Sequence, residues 1–76
     1  MAAALARPGR MRLTVNGESR EAAEGQTVLE LVQALGLPSE RLAVERNREL
    51  VPRRNWPTTR LATGDHIEIV HFVGGG

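Results

Sequence analysis

An α+β fold, with one main helix packed across a small mixed sheet, is predicted by three observations on this chain. Residues 11–15 near the start, and residues 66–73 near the end, alternate with the two-residue period of a half-buried strand. Between them, Val28, Leu31, Val32 and Leu35 fall on one stripe at helical spacing. That helix is only about two turns long, too short to stand alone in water, so it must lie on a sheet.

The elements follow in order. Met11-Arg12-Leu13-Thr14-Val15 runs into Asn16-Gly17, a pair that tolerates the positive φ of a type I′ turn. A hairpin is therefore expected, with residues 18–22 as a returning strand polar enough for an edge. Glu24-Gly25-Gln26 is loop. Thr27-Val28-Leu29-Glu30 reads as a capping box, the Thr27 hydroxyl accepting from the Glu30 amide while the Glu30 carboxylate reaches back. Gly36 is the expected residue just past the helix, and Pro38 forbids continuation. Residues 42–47 form a third strand with Leu42 and Val44 inward, and Leu50-Val51-Pro52 is a short apolar strand or turn. Residues 53–63 read as a loop anchored by Trp56. With Pro52 and Pro57 on either side, Trp56 suits a core plug better than a partner hot spot. Gly64-Asp65 is a turn before the last strand. Hairpin, helix, strand, short strand or turn, strand, with the last strand central beside the first, is the β-grasp arrangement. It implies one domain over residues 11–73, a disordered leader over 1–10 and a flexible glycine tail over 74–76.

Size and composition narrow the function. A 76-residue chain buries only about 60% of its unfolded surface, which leaves little material for a walled enzyme cleft. Its hydrophobic fraction of 41% suits a globular domain. Ten arginines against nine acids give a net charge of +1, and Arg53-Arg54 is the sole adjacent basic pair, so nucleic-acid binding is not expected. Without cysteine there is no disulfide, no thiolate metal site and no cysteine persulfide. No run approaches the eighteen apolar residues of a membrane span. The apolar stretch in residues 1–10 is too brief for a signal peptide and its charge follows rather than precedes it. A leader ahead of an alternative start at Met11, and a cytoplasmic location, are expected.

Side-chain chemistry is scarce. His66 and His71 lie five apart on one strand, on opposite faces, and cannot share a metal. Glu45 with Glu49, and Asp65 with Glu68, have no apolar pocket to raise a carboxyl pKa. Gly74-Gly75-Gly76 precedes no helix and is not a phosphate cradle. No catalytic side chain and no metal site is therefore expected. The glycines could be a frayed terminus. Alternatively they are a probe: without Cβ atoms they enter a narrow slot, extend roughly 10 Å, and present the Gly76 carboxylate. If Ile67 and Ile69 face the helix, Glu68, Val70 and Phe72 share the outer face. Val70 and Phe72 there are either a partner surface or merely exposed apolar residues, which are common.

Taken together, these blocks resemble the ThiS family of sulfur carriers of thiamine biosynthesis, which have a ubiquitin-like β-grasp fold. The matching residues are Val15-Asn16-Gly17-Glu18, Gly25-Gln26-Thr27-Val28, Leu31 through Leu37, and Ala43-Val44-Glu45 with Asn47. Val51-Pro52-Arg53-Arg54 with Trp56, Leu61, Gly64-Asp65-His66-Ile67-Glu68-Ile69-Val70 and Phe72-Val73-Gly74-Gly75-Gly76 complete the likeness. The leader is a departure from it. The resemblance implies a non-enzymatic carrier that serves as co-substrate of partner enzymes. A ThiF-type adenylyltransferase, using ATP and Mg²⁺ bound by that partner, would convert the Gly76 carboxylate to an acyl-adenylate. Sulfur from a donor such as a cysteine desulfurase would then give a thiocarboxylate, and a ThiG-type thiazole synthase would take the sulfur. Gly74 and Gly75 would be the access arm, Val70 and Phe72 the docking patch. The small subunit of molybdopterin synthase, a ubiquitin-like protein modifier, and an adaptor with an idle tail are the alternatives.

Overall fold

The computed structural model describes residues 8–72. Two strands, β1 (Arg10–Val15) and β2 (Glu18–Ala23), pair antiparallel around Asn16-Gly17. Asn16 and Gly17 have φ of 50° and 83°, the left-handed pair that a type I′ turn requires. The one α-helix among the described residues, α1 (Val28–Ala34), starts at the predicted capping box. The Glu30 amide donates to Thr27 Oγ1 at 3.2 Å, and the Thr27 amide donates to Glu30 Oε1 at 2.9 Å. Val28, Leu31 and Val32 are buried, Leu35 is half-buried, and Gly36 takes φ 71° just beyond the helix. A one-turn 3₁₀ segment, Ser39–Arg41, leads into β3 (Leu42–Arg46).

Strand β4 (Glu49–Val51) and strand β5 (His66–His71) complete a five-stranded sheet in the order β2-β1-β5-β3-β4. β5 is parallel to β1 and antiparallel to β3, so the last strand lies at the centre with a neighbour on each side. The fold is the expected ubiquitin-like β-grasp. Leu13, Val28, Val32, Val44 and Ile67 are fully enclosed between helix and sheet, with Leu42 and Val44 inward as predicted.

Three details of the sequence reading change. The apolar piece at residues 50–52 is an edge strand, β4, paired with β3 in the register Val44↔Val51. The third strand stops at Arg46 rather than 47, because Asn47 and Arg48 take φ 53° and 72° and close a second two-residue hairpin. Nothing like Asn-Gly marks that turn, which is why it was not foreseen. The stretch 53–63 is also more ordered than a loop. It opens with a 3₁₀ turn, Arg53–Asn55, and Trp56 then plugs the core at 2% exposure. Trp56 Nε1 donates to the Val51 carbonyl at 2.9 Å, and Arg53 lies 4.7 Å above its ring. Farther on, the Val28 amide donates to Thr59 O and the Leu61 amide to Gln26 O, both at 2.9 Å, stitching the stretch along the helix start.

Candidate functional site: the root of the C-terminal tail

Gly74, Gly75 and Gly76, where the sequence places the chemistry, lie outside the described residues, as does the predicted leader up to residue 7. What can be described is the strand that leads to them. β5 alternates as predicted: Ile67 and Ile69 are buried against the helix side, and His66, Glu68 and Val70 are exposed. Val70, on the middle strand, is 55% exposed, and Phe72, just past its end, is 50% exposed. Leu50, which the sequence reading did not single out, is 65% exposed on the same outer face. Register explains the grouping. Leu50 stands opposite Glu45, Glu45 opposite Glu68, and Ala43 opposite Val70, so Ala43 and Val70 are neighbours on the outer face, while Leu50 lies on that face level with Glu45 and Glu68.

The end of β5 is held from both sides. On the β3 side, the Phe72 amide donates to Arg41 O at 2.9 Å. On the β1 side, the Asn16 side chain bonds both polar groups of the Ile69 backbone: Ile69 N–H donates to Asn16 Oδ1 at 2.7 Å, and Asn16 Nδ2 donates to Ile69 O at 3.2 Å. The sequence signalled Asn16 only as a turn residue. Its second task depends on a residue 53 positions away, which no local pattern reveals.

The start of β5 is fixed by Asp65, also missed as anything but turn. Its carboxylate is 5% exposed and accepts from Arg46 Nε at 2.7 Å, the Ala62 amide at 2.8 Å and Asn47 Nδ2 at 3.0 Å. Asn47 in turn accepts from the His66 amide through Oδ1 at 2.9 Å. Burial pushes the Asp65 carboxyl up, but the hydrogen bonds from Arg46, Ala62 and Asn47 and the charge of Arg46 outweigh it. The carboxyl is held below the usual aspartate value. Asp65 is thus a clamp, ionised at neutral pH, that joins the β3–β4 turn to the head of β5. His66 and His71 are both exposed, and no group of three potential metal ligands occurs among the described residues.

The geometry is that of a platform: a central strand clamped at both ends, exposed Val70 and Phe72 at its end, and a glycine run that begins two residues after Phe72 in the sequence. The ThiS family model matches residues 13–76. This chain belongs to the ThiS family. The crystal structure of a thiamine biosynthesis protein (ThiS) from Geobacter metallireducens superposes with a TM-score of 0.78 at 39% identity, covering 87% of this chain and all of that one. Sulfur carrier protein ThiS of Escherichia coli (strain K12) is 32% identical over 66 residues, 87% of this chain and 100% of its own length. Thiazole synthase of Paramagnetospirillum magneticum is 44% identical over 66 residues, 87% of this chain. This ThiS-family chain spans only 20% of that thiazole synthase, so the likeness there is to one segment of a longer protein.

Proposed function

We propose that this ThiS-family sulfur carrier of thiamine biosynthesis holds its sulfur on the C-terminal carboxyl of Gly76, as a thiocarboxylate. The observation that carries the reading is the pairing of family membership over residues 13–76 with a clamped central strand that feeds the glycine run. A carboxyl terminus has a pKa of about 3.3–3.7, so at neutral pH Gly76 is an unreactive carboxylate. Activation must therefore come from outside. In the proposed sequence a carboxylate oxygen attacks the α-phosphorus of ATP and expels pyrophosphate. The terminal sulfur of the donor's persulfide then attacks the acyl carbon and expels AMP, and a second thiol cleaves the resulting acyl disulfide, forming a disulfide with the donor's sulfur and releasing the thiocarboxylate.

The chain acts as co-substrate: ATP and Mg²⁺ are bound by a ThiF-type adenylyltransferase, and sulfur arrives from a donor such as a cysteine desulfurase. Gly74 and Gly75 are the narrow arm that lets Gly76 enter the partner's site. The acceptor is a ThiG-type thiazole synthase. A thiazole synthase that carries a segment similar to this chain within its own polypeptide supports that pairing. Val70 and Phe72 are the docking patch, their exposure being what a partner surface needs. Among the described residues no helix is long and apolar enough to cross a membrane, and a cytoplasmic location fits the proposed partners.

Intact mass spectrometry tests the reading. The chain incubated with the adenylyltransferase, ATP, Mg²⁺ and a sulfur donor is expected to gain the mass of one oxygen-for-sulfur exchange at Gly76. Its absence with all components present overturns the carrier chemistry. Recovery of a stable complex with a molybdopterin synthase large subunit, or a ladder of isopeptide conjugates, would instead support one of the rival readings.

A further inference from the structure

A parallel ladder continues only while both backbones run alongside each other. Here β1 and β5 pair through Thr14↔His66 and Val15↔Ile67. The Thr14 amide donates to Asp65 O at 3.0 Å and the Asn16 amide to Ile67 O at 2.8 Å. At Asn16 the backbone takes φ 50° and turns into the hairpin, so β1 offers no further peptide. β5 nevertheless runs on to His71. The next rung is supplied by the Asn16 carboxamide, which receives the Ile69 N–H and donates to the Ile69 carbonyl. A carboxamide is a peptide group on a short stem, and here it stands in for the missing strand residue.

Two requirements meet at this position. The turn needs a residue that tolerates positive φ, and the ladder needs one donor and one acceptor within reach of Ile69. Glycine meets the first requirement only. Aspartate tolerates the conformation and accepts, but its carboxylate cannot donate to the Ile69 carbonyl. Glutamine carries the right amide on a stem that does not favour left-handed backbone. Asparagine satisfies both requirements.

We infer that Asn16 is a positioning residue for the acyl-transfer chemistry at the C-terminus. By clamping Ile69, seven residues before Gly76, it fixes the line along which the central strand delivers the tail to the activating enzyme. Without it, the end of β5 is tethered on the β3 side alone, through the antiparallel ladder that runs to Leu42↔His71 and the Phe72–Arg41 bond beyond it. The inference rests on the carrier reading, since it concerns how Gly76 reaches a partner's nucleotide. Misplacing a reacting group by about 1 Å can lower a rate on the order of 100-fold. A loosened strand root that samples the correct line only part of the time should lower it less.

The test measures ATP-dependent pyrophosphate release by the ThiF-type adenylyltransferase while the concentration of full-length carrier is varied. Asn16→Gly keeps the turn and removes the amide. The expected result is a drop of about tenfold in kcat. KM should change by less than about threefold, because the outer-face patch around Val70 still docks. Amide hydrogen exchange at Ile69 should accelerate in the same variant, and Asn16→Asp, which keeps one bond of the two, should fall between it and the wild type. If Asn16→Gly proves unfolded at the assay temperature, Asn16→Asp carries the same comparison at saturating carrier. A folded variant with faster exchange at Ile69 but unchanged kcat overturns the inference and leaves the carrier reading standing. A wild-type chain that supports no ATP-dependent turnover overturns the carrier reading itself.

Discussion

Replacing Asp65 by alanine should be among the most destabilising single changes outside the apolar core. The carboxylate is 5% exposed and accepts three hydrogen bonds, one from a guanidinium at 2.7 Å. All three are charge-assisted through the carboxylate; the bond from the guanidinium is worth about 1.5–3 kcal/mol, and each bond from an uncharged amide at least about 0.5–1.5. The upper end does not apply, because the Arg46 side chain is 33% exposed and can rehydrate when its partner is lost. A loss of roughly 2–4 kcal/mol remains. Against a total of roughly 4–11 kcal/mol for a chain of this length, that is a large share. The pH dependence has a definite sign. The folded-state pKa lies below the ordinary aspartate value of about 3.9. The clamp's contribution is therefore complete above that value and is lost as pH falls through the lower folded value. Urea unfolding of wild type and Asp65→Ala should show a gap that is constant from neutral pH down to about 5 and shrinks below about 4. A gap under about 1 kcal/mol at neutral pH, or one that persists unchanged into strong acid, would refute the clamp.

Other consequences are expected. Trp56→Phe keeps most of the plug but removes the indole bond to the Val51 carbonyl, and should cost about 1 kcal/mol in urea unfolding. Arg48→Gly should stabilise by roughly 0.5–1 kcal/mol. Relief of left-handed backbone, about 1–2 kcal/mol, exceeds the extra entropy glycine loses on ordering; a loss of stability would mean that the Arg48 side chain makes a compensating contact. Glu68→Gln removes one of two carboxylates that face each other across β3 and β5, and should raise stability in urea unfolding at low salt by about a few tenths of a kcal/mol. Phe72→Glu should weaken binding to thiazole synthase by about tenfold while leaving thermal stability nearly unchanged. A fall in stability without a fall in affinity would place Phe72 in the folded core instead of at the interface.

The reading from sequence succeeded where one short window holds both the cause and the effect. Asn16-Gly17, Thr27 with Glu30, Gly36 before Pro38, and the alternation of residues 66–70 each specify a backbone conformation through neighbours within a few positions. The central placement of the last strand also followed, since a helix of about two turns needs a sheet and the element order allows few arrangements. Leu50 and the hairpin at Asn47-Arg48 escaped notice because three residues of edge strand show too little periodicity, and because Arg at a left-handed position carries no turn signal.

The glycine run, the absence of cysteine and the period-two final strand are properties of the chain alone, and together with the residue blocks that resemble the ThiS family they are what the proposal of chemistry at Gly76 is built on. How the strand that leads toward those glycines is held is a different matter. It depends on Asp65 meeting Arg46 and Asn47, and on Asn16 meeting Ile69, pairs separated by 18 to 53 positions. Such pairs exist only after parallel β1–β5 pairing and the β3–β4 turn have brought the strands into register. A side-chain hydrogen bond reaches about 3 Å, so its partner is set by the folded backbone and cannot be read from spacing along the chain.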